Sequence, residues 1–263
     1  MNIRQRILQT LEQKKGFSIS GEQLAQALGV SRSAIWKTIA TLRKEGYQIE
    51  AVTNRGYRLA EQNDLLSAEG IVPWLAKDYQ GLPITVLKRV DSTNHAMRHA
   101  ALEGASSGAV LLAEEQTDGR GRFSRSFWSP PGGLYMSILL RPQNRFDAVL
   151  LTTAAAVAVC RAVQSLTKLD LRIKWVNDLY LGKRKVCGIL TEAATDMESR
   201  NVESAVIGIG LNVKFHDALP TELVDIAGAL DEGNVSFVSR NRLAAEILNM
   251  FFSMLDGLEG RTF

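Results

Sequence analysis

The sequence predicts an α+β protein in which an N-terminal winged helix-turn-helix precedes a larger domain built on a mixed β-sheet with covering helices. Two observations lead to this prediction. Residues 1–62 show three stretches of helical periodicity, followed by two short strand-like stretches joined by a turn. Residues 65–263 contain many short β-branched runs separated by glycine-containing turns, with few long helical stretches. Strands that are joined mostly by hairpins and covered by a few helices are typical of the α+β class.

Composition places the chain among ordinary globular proteins. Its 263 residues are 46% hydrophobic and 22% charged, which is sufficient for two domains with cores of their own. The net charge is only +3, so the local distribution of basic residues carries more information than the total. Cys160 and Cys187 lie in apolar surroundings without metal-ligand spacing, which predicts reduced thiols.

No membrane attachment is expected. The N-terminus has the pattern of a polar helix rather than of a secretory leader. The longest uncharged run, residues 148–160, is shorter than the roughly 20 apolar residues that cross a bilayer. These features predict a cytoplasmic protein.

The first two helices are predicted from apolar spacing and from their end signals. Ile3 and Leu11 belong to one amphipathic face of the first helix. Ser20 or Gly21 begins the second helix, and Gly29 ends it, because glycine tolerates the left-handed conformation that closes many helices.

A third helix and a hairpin complete the N-terminal module. Ser31 or Ser33 caps the third helix. Strands are expected at residues 47–52 and 57–59, with a turn at 54–56. The order of these elements is that of a winged helix-turn-helix.

Such a module typically binds DNA, with phosphates held at a helix N-terminus and base edges read from the same helix. Trp36 lies on the third helix and either belongs to this surface or packs in the core. The alternative is a small helical domain that binds protein. The candidate DNA-binding residues are Ser31, Arg32, Ser33, Lys37 and Arg55.

A polar stretch at residues 61–64 marks the predicted boundary between domains 1–62 and 65–263. Beyond it, Ser67 is expected to cap a helix over residues 65–80, and a strand follows at 84–90. The remaining predicted elements are a helix at 95–103, strands at 109–113 and 134–140, a helix at 147–166, strands at 171–176, 179–181, 185–192 and 206–213, and a helix at 241–255.

Small polar side chains occur where the strand at 84–90 gives way to the next helix. Ser92, Thr93 and Asn94 combine hydrogen-bonding groups with the free backbone N–H groups of a helix N-terminus, which suits an anion, an amide or a ureido group. Gln116 offers similar groups further along the chain. The alternative is an ordinary helix cap.

A cationic loop, Gly119-Arg120-Gly121-Arg122, follows Gln116. Glycine permits close backbone approach to a ligand, and arginine matches carboxylate and phosphate oxygens two at a time. A second basic cluster extends over residues 174–190. A flexible surface loop is the alternative, but the two clusters together predict a site for a small anionic ligand and a nucleotide.

Taken together, these motifs resemble the biotin–protein ligase family in its bifunctional form, which also serves as the biotin operon repressor. The resemblance covers nearly the whole chain. It is carried by Asp91-Ser92-Thr93-Asn94, by Gln116 with Gly119-Arg120-Gly121-Arg122, by Lys174-Trp175-Val176-Asn177-Asp178, by Lys185-Val186-Cys187-Gly188-Ile189-Leu190 and by Gly208-Ile209-Gly210-Leu211-Asn212-Val213.

This resemblance implies a class II synthetase-like catalytic domain and a reaction in two halves. Biotin and ATP form biotinyl-5′-adenylate with Mg²⁺, and a lysine of the biotin carboxyl carrier protein of acetyl-CoA carboxylase then receives the biotinyl group. Operator DNA and a second, ligand-recruited copy of the chain are the other implied partners.

The family motifs also imply residue roles. Arg122 and Lys185 are the expected catalytic residues. Ser92, Thr93, Asn94, Gln116, Gly119, Arg120, Gly121, Arg122, Lys185 and Gly188 would bind biotin. Arg120, Arg122, Asn177, Asp178, Lys185 and Asn212 would bind the nucleotide, and Asp178 would hold Mg²⁺.

Two departures from the family pattern bear on these expectations. The family often has tryptophan where Phe127 stands here, so either Phe127 or Trp128 walls the biotin pocket. Family members usually continue into a small C-terminal β-barrel domain, which is expected to be absent here. Two alternatives therefore stay open: a biotin-sensing repressor with little ligase turnover, and a lipoate-type ligase.

Overall fold

The computed structural model describes residues 2–142, 147–195, 202–215, 219–233 and 239–259. The chain forms two compact units. The first combines Met1–Leu75 with Ser239–Ala245, and the second combines Ala76–Val238 with Glu246–Phe263. This division falls after Leu75 rather than at residues 62–65, and the position of the functional domain boundary stays a prediction.

The N-terminal unit has the predicted order of elements. Capping by Ser20 begins the second helix, Gly29 ends it with a left-handed φ of 66°, and Ser31 caps the third. The elements are α1 (Ile3–Gln13), α2 (Gly21–Leu28), α3 (Arg32–Lys44), β1 (Ile49–Val52) and β2 (Gly56–Leu59).

The two strands form the wing. β1 and β2 pair antiparallel, with Ile49 opposite Leu59, and Ile19 bridges to Tyr57 as a third extended segment. Gly56 has a φ of 96°, and a Cβ there would lie 2.1 Å from the Ile19 carbonyl oxygen, so the hairpin requires glycine at this position. The winged helix-turn-helix prediction is confirmed.

The predicted helix over residues 65–80 is wrong. Ser67 caps a helix as expected, but this helix, α4, covers only Ala68–Ile71. Two 3₁₀ turns follow, at Val72–Trp74 and Lys77–Tyr79. Pro73 lies in the first of them, and since proline has no backbone N–H and its ring crowds the preceding turn, the α-helix cannot continue.

The segment after the wing is tied to residues at the beginning of the C-terminal helix. Asp64 pairs with Arg240 at 2.7 Å. The Asn241 amide accepts from the backbone N–H of Ser67 and donates to the carbonyl of Leu65, both at 3.0 Å. These bonds explain why residues 239–245 belong to the first unit.

The second unit is built on a seven-stranded sheet in the order β3-β4-β5-β9-β8-β7-β6. β3 and β4 are parallel and the other neighbouring pairs are antiparallel, so the sheet is mixed, as predicted. Its strands are β3 (Ile84–Leu87), β4 (Val110–Ala113), β5 (Leu134–Leu140), β6 (Arg172–Lys174), β7 (Asp178–Leu181), β8 (Arg184–Thr195) and β9 (Val202–Leu211). The longer helices are α5 (Thr93–Leu102), α6 (Ala148–Thr167) and α7 (Arg240–Glu259).

Helix α6 packs against β7, β8 and β9. Asp147 caps it through the backbone N–H groups of Val149 and Leu150. The helix has 20 residues and a mean hydropathy of 1.6, so its length and composition alone would allow a membrane span. Since 44% of that window is buried inside the structure and a core helix passes the same test, this finding gives no membrane assignment.

Candidate active site

Most of the predicted site residues lie around one cleft in the second unit. The cleft occupies about 830 Å³, a volume that includes open solvent at its mouth. The predicted residues that line it are Ser92, Thr93, Asn94, Gln116, Arg120, Gly121, Arg122, Asn177, Asp178, Lys185 and Gly188. These residues come from α5, the cationic loop, the turn into β7, and β8.

Gly119 and Asn212 are not among the lining residues. A Cβ at Gly119 would lie 2.3 Å from the Phe127 carbonyl oxygen, so this glycine lets the two sides of the loop approach. Asn212 is 5% exposed and its Nδ2 donates to the Gly228 carbonyl at 3.0 Å. Its Oδ1 has no hydrogen-bond partner among the described residues. Roles in ligand binding at these two positions stay predictions.

A polar network forms one end of the cleft. Helix α5 begins at Thr93, two residues earlier than predicted, with Ser92 at the N-cap position. Gln116 Oε1 accepts from the Thr93 backbone N–H at 2.8 Å and from its hydroxyl at 3.0 Å. Gln116 Nε2 donates to the Ser129 hydroxyl at 2.8 Å. Gln116 therefore links the cationic loop to the start of α5.

Charged and amide groups form a continuous chain at the other end. Lys185 Nζ lies 2.7 Å from Asp178 Oδ1, which also accepts from Asn177 Nδ2 at 3.0 Å. Asn177 Oδ1 in turn accepts from Arg122 at 3.2 Å. The two cations predicted to be catalytic therefore face the same cleft, although one lies on the loop and the other on β8.

Phe127 forms part of the cleft floor, and Trp128 does not line it. Cβ atoms at Gly188 and Gly210 would lie 3.2 Å and 2.6 Å from the Phe127 ring, so the two glycines make room for it. Trp128 packs instead on Phe215, with ring centroids 5.3 Å apart. The structure thus places Phe127, of the two candidates, in the cleft.

Several lining residues were not predicted as site residues. A sequence signal for them is the pair Gly208 and Gly210 in β9, since glycine inside a strand often marks a close backbone approach. These lining residues are Phe123, Arg125, Ser126, Ile189, Leu190, Gly208, Ile209 and Gly210.

The cationic loop has a defined local structure. Arg120 bridges to Ser126, and the Gly121 N–H donates to the Arg125 carbonyl at 2.7 Å. Arg120 is held by an ion pair of 2.9 Å with Asp118. At the tip, Phe123 has a φ of 56° and its side chain is 83% exposed. The loop therefore projects as a tight turn with two arginines directed along the cleft.

A hydrogen bond between a carboxylate and an imidazole lies at the entrance to α5. Asp91 contacts the His95 ring across one helical turn and also accepts from the Ser92 backbone N–H at 2.7 Å. Desolvation raises the pKa of Asp91, but the hydrogen bonds from His95 and Ser92 outweigh it and hold the pKa below its usual value. Asp91 therefore stays a carboxylate that fixes the approach to α5.

Neither cysteine is suited to nucleophilic chemistry. Both are free thiols, as predicted. Burial raises the pKa of Cys160 to about 11, and complete burial raises the pKa of Cys187 further. Since the thiolate is the nucleophilic form, both groups stay protonated and inert at neutral pH.

The N-terminal unit presents its predicted DNA-binding residues on the surface. Trp36 is 62% exposed on α3, so it does not belong to the core. Ser31 and Ser33 lie with their hydroxyl oxygens 2.9 Å apart at the N-terminus of α3. The side chains of Arg32, Lys37 and Arg55 are exposed. Their contact with DNA stays a prediction.

The fold and the site together define a class of protein. Its first unit is a winged helix-turn-helix, and its second unit has a polar cleft lined by the cationic loop, by Lys185 of β8 and by the Phe127 ring. Residues 86–212 match the Biotin/lipoate A/B protein ligase family, and residues 3–58 match a helix-turn-helix (HTH) domain family.

Relatives extend this match to most of the chain. The bifunctional ligase/repressor BirA of Bacillus spizizenii is 37% identical over 252 residues, which are 95% of this chain and 77% of the relative. BirA of Escherichia coli is 35% identical over 91% of this chain and 73% of the relative. A biotin protein ligase structure from Aquifex aeolicus, in complex with biotin and ATP, aligns with a TM-score of 0.61 and 30% identity, over 68% of this chain and 73% of that one.

The chain belongs to the biotin/lipoate protein ligase family, among its bifunctional ligase/repressor members.

Proposed function

We propose that this protein is an ATP-dependent biotin–protein ligase that also acts as a biotin-responsive transcriptional repressor. In the first half-reaction, a biotin carboxylate oxygen attacks the α-phosphorus of ATP, and the bond to pyrophosphate breaks. In the second, a lysine amine of the biotin carboxyl carrier protein attacks the acyl carbon of biotinyl-5′-adenylate, and AMP leaves.

The observation that carries this proposal is the convergence of Arg122 and Lys185 on one cleft. Adenylate formation brings together a carboxylate and a triphosphate, and negative charge increases further in the transition state. Fixed cations in a partly desolvated cleft stabilise that charge more effectively than water does. Arg122 and Lys185 are therefore the proposed catalytic residues, and Arg120 assists them from the same loop.

The polar end of the cleft suits the head group of biotin. Ser92, Thr93, Asn94 and Gln116 supply donors and acceptors side by side, and the Phe127 ring supplies an apolar surface beside them. Gly121 leaves room for the ligand to approach the backbone, and Gly188 leaves room for the Phe127 ring. A ureido ring fused to an apolar bicycle requires this combination of hydrogen bonds and packing.

The acidic and amide groups of the turn into β7 suit a nucleotide with its metal. Asp178 contributes one carboxylate, and the described residues contain no cluster of three or more groups that would by itself hold a metal ion. Mg²⁺ ordinarily binds through one or two carboxylates together with substrate phosphates. The residues therefore fit a magnesium ion carried by ATP and held by Asp178, with Asn177 beside it, and this ion would neutralise phosphate charge.

The N-terminal unit supplies the second activity. Its exposed Arg32, Lys37 and Arg55 suit DNA phosphates, and the hydroxyls of Ser31 and Ser33 lie at the N-terminus of α3. A palindromic operator requires two such modules, so we propose that the adenylate-bound protein pairs as a homodimer before it represses. The proposal includes a cytoplasmic location, because carrier protein and DNA are both accessible there.

Incubation with biotin, ATP labelled at the α-phosphate and a purified carrier domain tests the function. Biotin-dependent labelled adenylate, followed by biotinylation of the carrier lysine, is the expected result. Adenylate without transfer would point to the biotin-sensing repressor instead. Adenylate that forms with lipoate but not with biotin would overturn the proposal in favour of a lipoate-type ligase.

A further inference from the structure

The amide of Asn94 is oriented by groups of three residues, of which only Leu190 lines the cleft. Its Nδ2 donates to Glu192 Oε2 at 2.7 Å and to the Leu190 carbonyl at 3.2 Å, which uses both amide hydrogens. Its Oδ1 accepts from the Ser137 hydroxyl at 2.7 Å. Asn94 is 4% exposed and lines the cleft. What it offers a ligand is therefore the remaining lone pair of Oδ1, an acceptor.

Glu192 and the Leu190 carbonyl together determine which end of the amide faces which way, and Glu192 makes the shorter contact. A carboxylate only accepts hydrogen bonds, so the Asn94 group that faces it must be the NH₂ end. Arg98, one helical turn after Asn94 on α5, holds the other carboxylate oxygen of Glu192 at 2.8 Å. The ion pair with Arg98 thus holds the Glu192 carboxylate in place, and this carboxylate in turn helps to orient the Asn94 amide.

Gly208 makes this arrangement possible. A Cβ there would lie 2.2 Å from Asn94 Oδ1, so the amide rests directly against the backbone of β9. Of the groups on Gln116, Oε1 accepts two bonds from Thr93 and one Nε2 hydrogen goes to Ser129. Among the described contacts, one Nε2 hydrogen of Gln116 remains. The cleft therefore presents an acceptor on Asn94 and a donor on Gln116.

We propose that Glu192, held by Arg98, is a positioning residue that locks Asn94 as a hydrogen-bond acceptor for a ureido N–H of the ligand. This inference rests on the proposed function, because it assigns the ligand's ureido group to this end of the cleft. Glu192 acts through Asn94 and touches no reacting atom. Its effect is on which ligands bind.

The substitution Glu192→Gln tests the orientation of the Asn94 amide with little change in the packing around residue 192. Glu192→Gln keeps the size of the side chain, but either end of the new amide can face Asn94. Only the Leu190 carbonyl, at 3.2 Å, then still requires the NH₂ end, so the Asn94 amide is held in this orientation more weakly. The expected result is a biotin Kd raised up to about tenfold, the upper end of the effect of losing one hydrogen bond between neutral groups. The kcat at saturating biotin should stay within about twofold of wild type, since the cations are untouched.

The decisive measurement compares biotin with biotin methylated on one ureido nitrogen, for each of the two regioisomers, by titration calorimetry on the full chain. The wild type should bind one methylated isomer at least about tenfold more weakly than biotin. In Glu192→Gln that ratio should fall, because the part of the preference that comes from the hydrogen bond is lost while the steric cost of the methyl group remains. A merely structural role would weaken all ligands alike and leave the ratio unchanged, which would overturn the inference.

Two controls complete the experiment. Glu50→Gln removes an ion pair with Arg58 in the N-terminal unit and should change neither Kd nor ratio. If Glu192→Gln does not fold, Arg98→Met should give a smaller loss of discrimination, and an unchanged ratio there would contradict the inference.

A wild type that does not bind biotin would overturn the proposed function itself. A wild type that binds and discriminates, beside a Glu192→Gln variant that does the same, would overturn only the role of Glu192.

Discussion

Lys185 and Asp178 form an ion pair of 2.7 Å within the cleft, and Asn177 connects that pair to Arg122 on the cationic loop. Lys185 and Asp178 are both partly exposed, so the charge of the lysine is directed into the cleft rather than buried. Lys185 is further fixed by its backbone, which pairs with the segment around Ala227. The arrangement places one cation from a loop and one from a strand in the same cleft.

Lys185→Ala should slow biotin-dependent adenylate formation by about 10²–10³-fold, as removal of one transition-state donor typically does. Biotin-dependent exchange of label between pyrophosphate and ATP measures this step. Lys183→Ala is the matched control, since Lys183 is exposed at the tip of the same hairpin and does not line the cleft. Equal rates in the two variants would contradict the assignment of Lys185.

Arg122→Ala should also slow adenylate formation, by about 10- to 100-fold, the effect expected from a lost hydrogen bond to a charged group. The loss should fall mainly on kcat if Arg122 contacts the reacting phosphate. Single-turnover measurement with labelled ATP separates this from weakened binding. Arg161→Ala, on the exposed side of α6, should retain wild-type kinetics. An unaltered single-turnover rate in Arg122→Ala would remove this arginine from the proposed chemistry.

Gly119→Ala should destabilise the protein, whereas Gly121→Ala should not. A Cβ at Gly119 would lie 2.3 Å from the Phe127 carbonyl oxygen, which is backbone and cannot move away cheaply. At Gly121 the nearest atom is 3.4 Å away, an ordinary contact. We expect a loss of about 1–3 kcal/mol for Gly119→Ala, as for other overpacked sites, measured by denaturant unfolding. Equal stabilities of the two variants would show that the loop absorbs the strain.

Glu12→Gln should stabilise the N-terminal unit at neutral pH. Burial raises the pKa of Glu12 above its ordinary value of 4.5, against a smaller lowering effect of Lys15. An acid whose folded-state pKa lies above its unfolded-state value keeps its proton longer in the folded chain. The free energy of unfolding of the wild type therefore falls as pH rises above 4.5, through the interval between the two pKa values.

Thermal unfolding of wild type and Glu12→Gln at several pH values tests this. The variant should have the higher unfolding midpoint at pH 7, and its advantage should shrink as the pH falls through the interval between the folded-state and unfolded-state pKa values. Lys15 keeps a second partner in the Asn63 carbonyl, so the substitution does not leave its ammonium unpaired. A constant difference at all pH values would show that Glu12 ionisation is not the cause.

Lys37→Ala and Arg55→Ala should each weaken DNA binding and lower the salt dependence by about one counterion, with adenylate formation unchanged. Fluorescence anisotropy with a duplex selected from a random library by the full chain, over a series of salt concentrations, measures both quantities. Lys88→Ala is the control, because Lys88 is an exposed cation of the second unit. An unchanged salt slope in both variants would exclude contact between these two residues and phosphate.

Local patterns in the sequence were sufficient for much of this protein. Helical spacing and end signals such as Ser20 and Gly29 predicted the winged module, because they depend on residues within a turn or two of one another. The short polar and cationic motifs predicted the kind of ligand, since the chemistry of Gln116 or Arg122 does not depend on the fold. Their order along the chain also indicated the family.

Only the tertiary structure decided which of these groups meet. The pairing register of β8 with β7 and β9 brings Lys185 into the cleft and Glu192 against Asn94, and no local pattern encodes that register. Phe127 rather than Trp128 lies at the floor of the cleft because Gly188 in β8 and Gly210 in β9 leave space for its ring. These glycines are distant from Phe127 in sequence, so no local pattern predicts which aromatic residue lines the cleft. Periodicity reports which face of an element is buried, whereas the neighbours across that face are set by long-range packing.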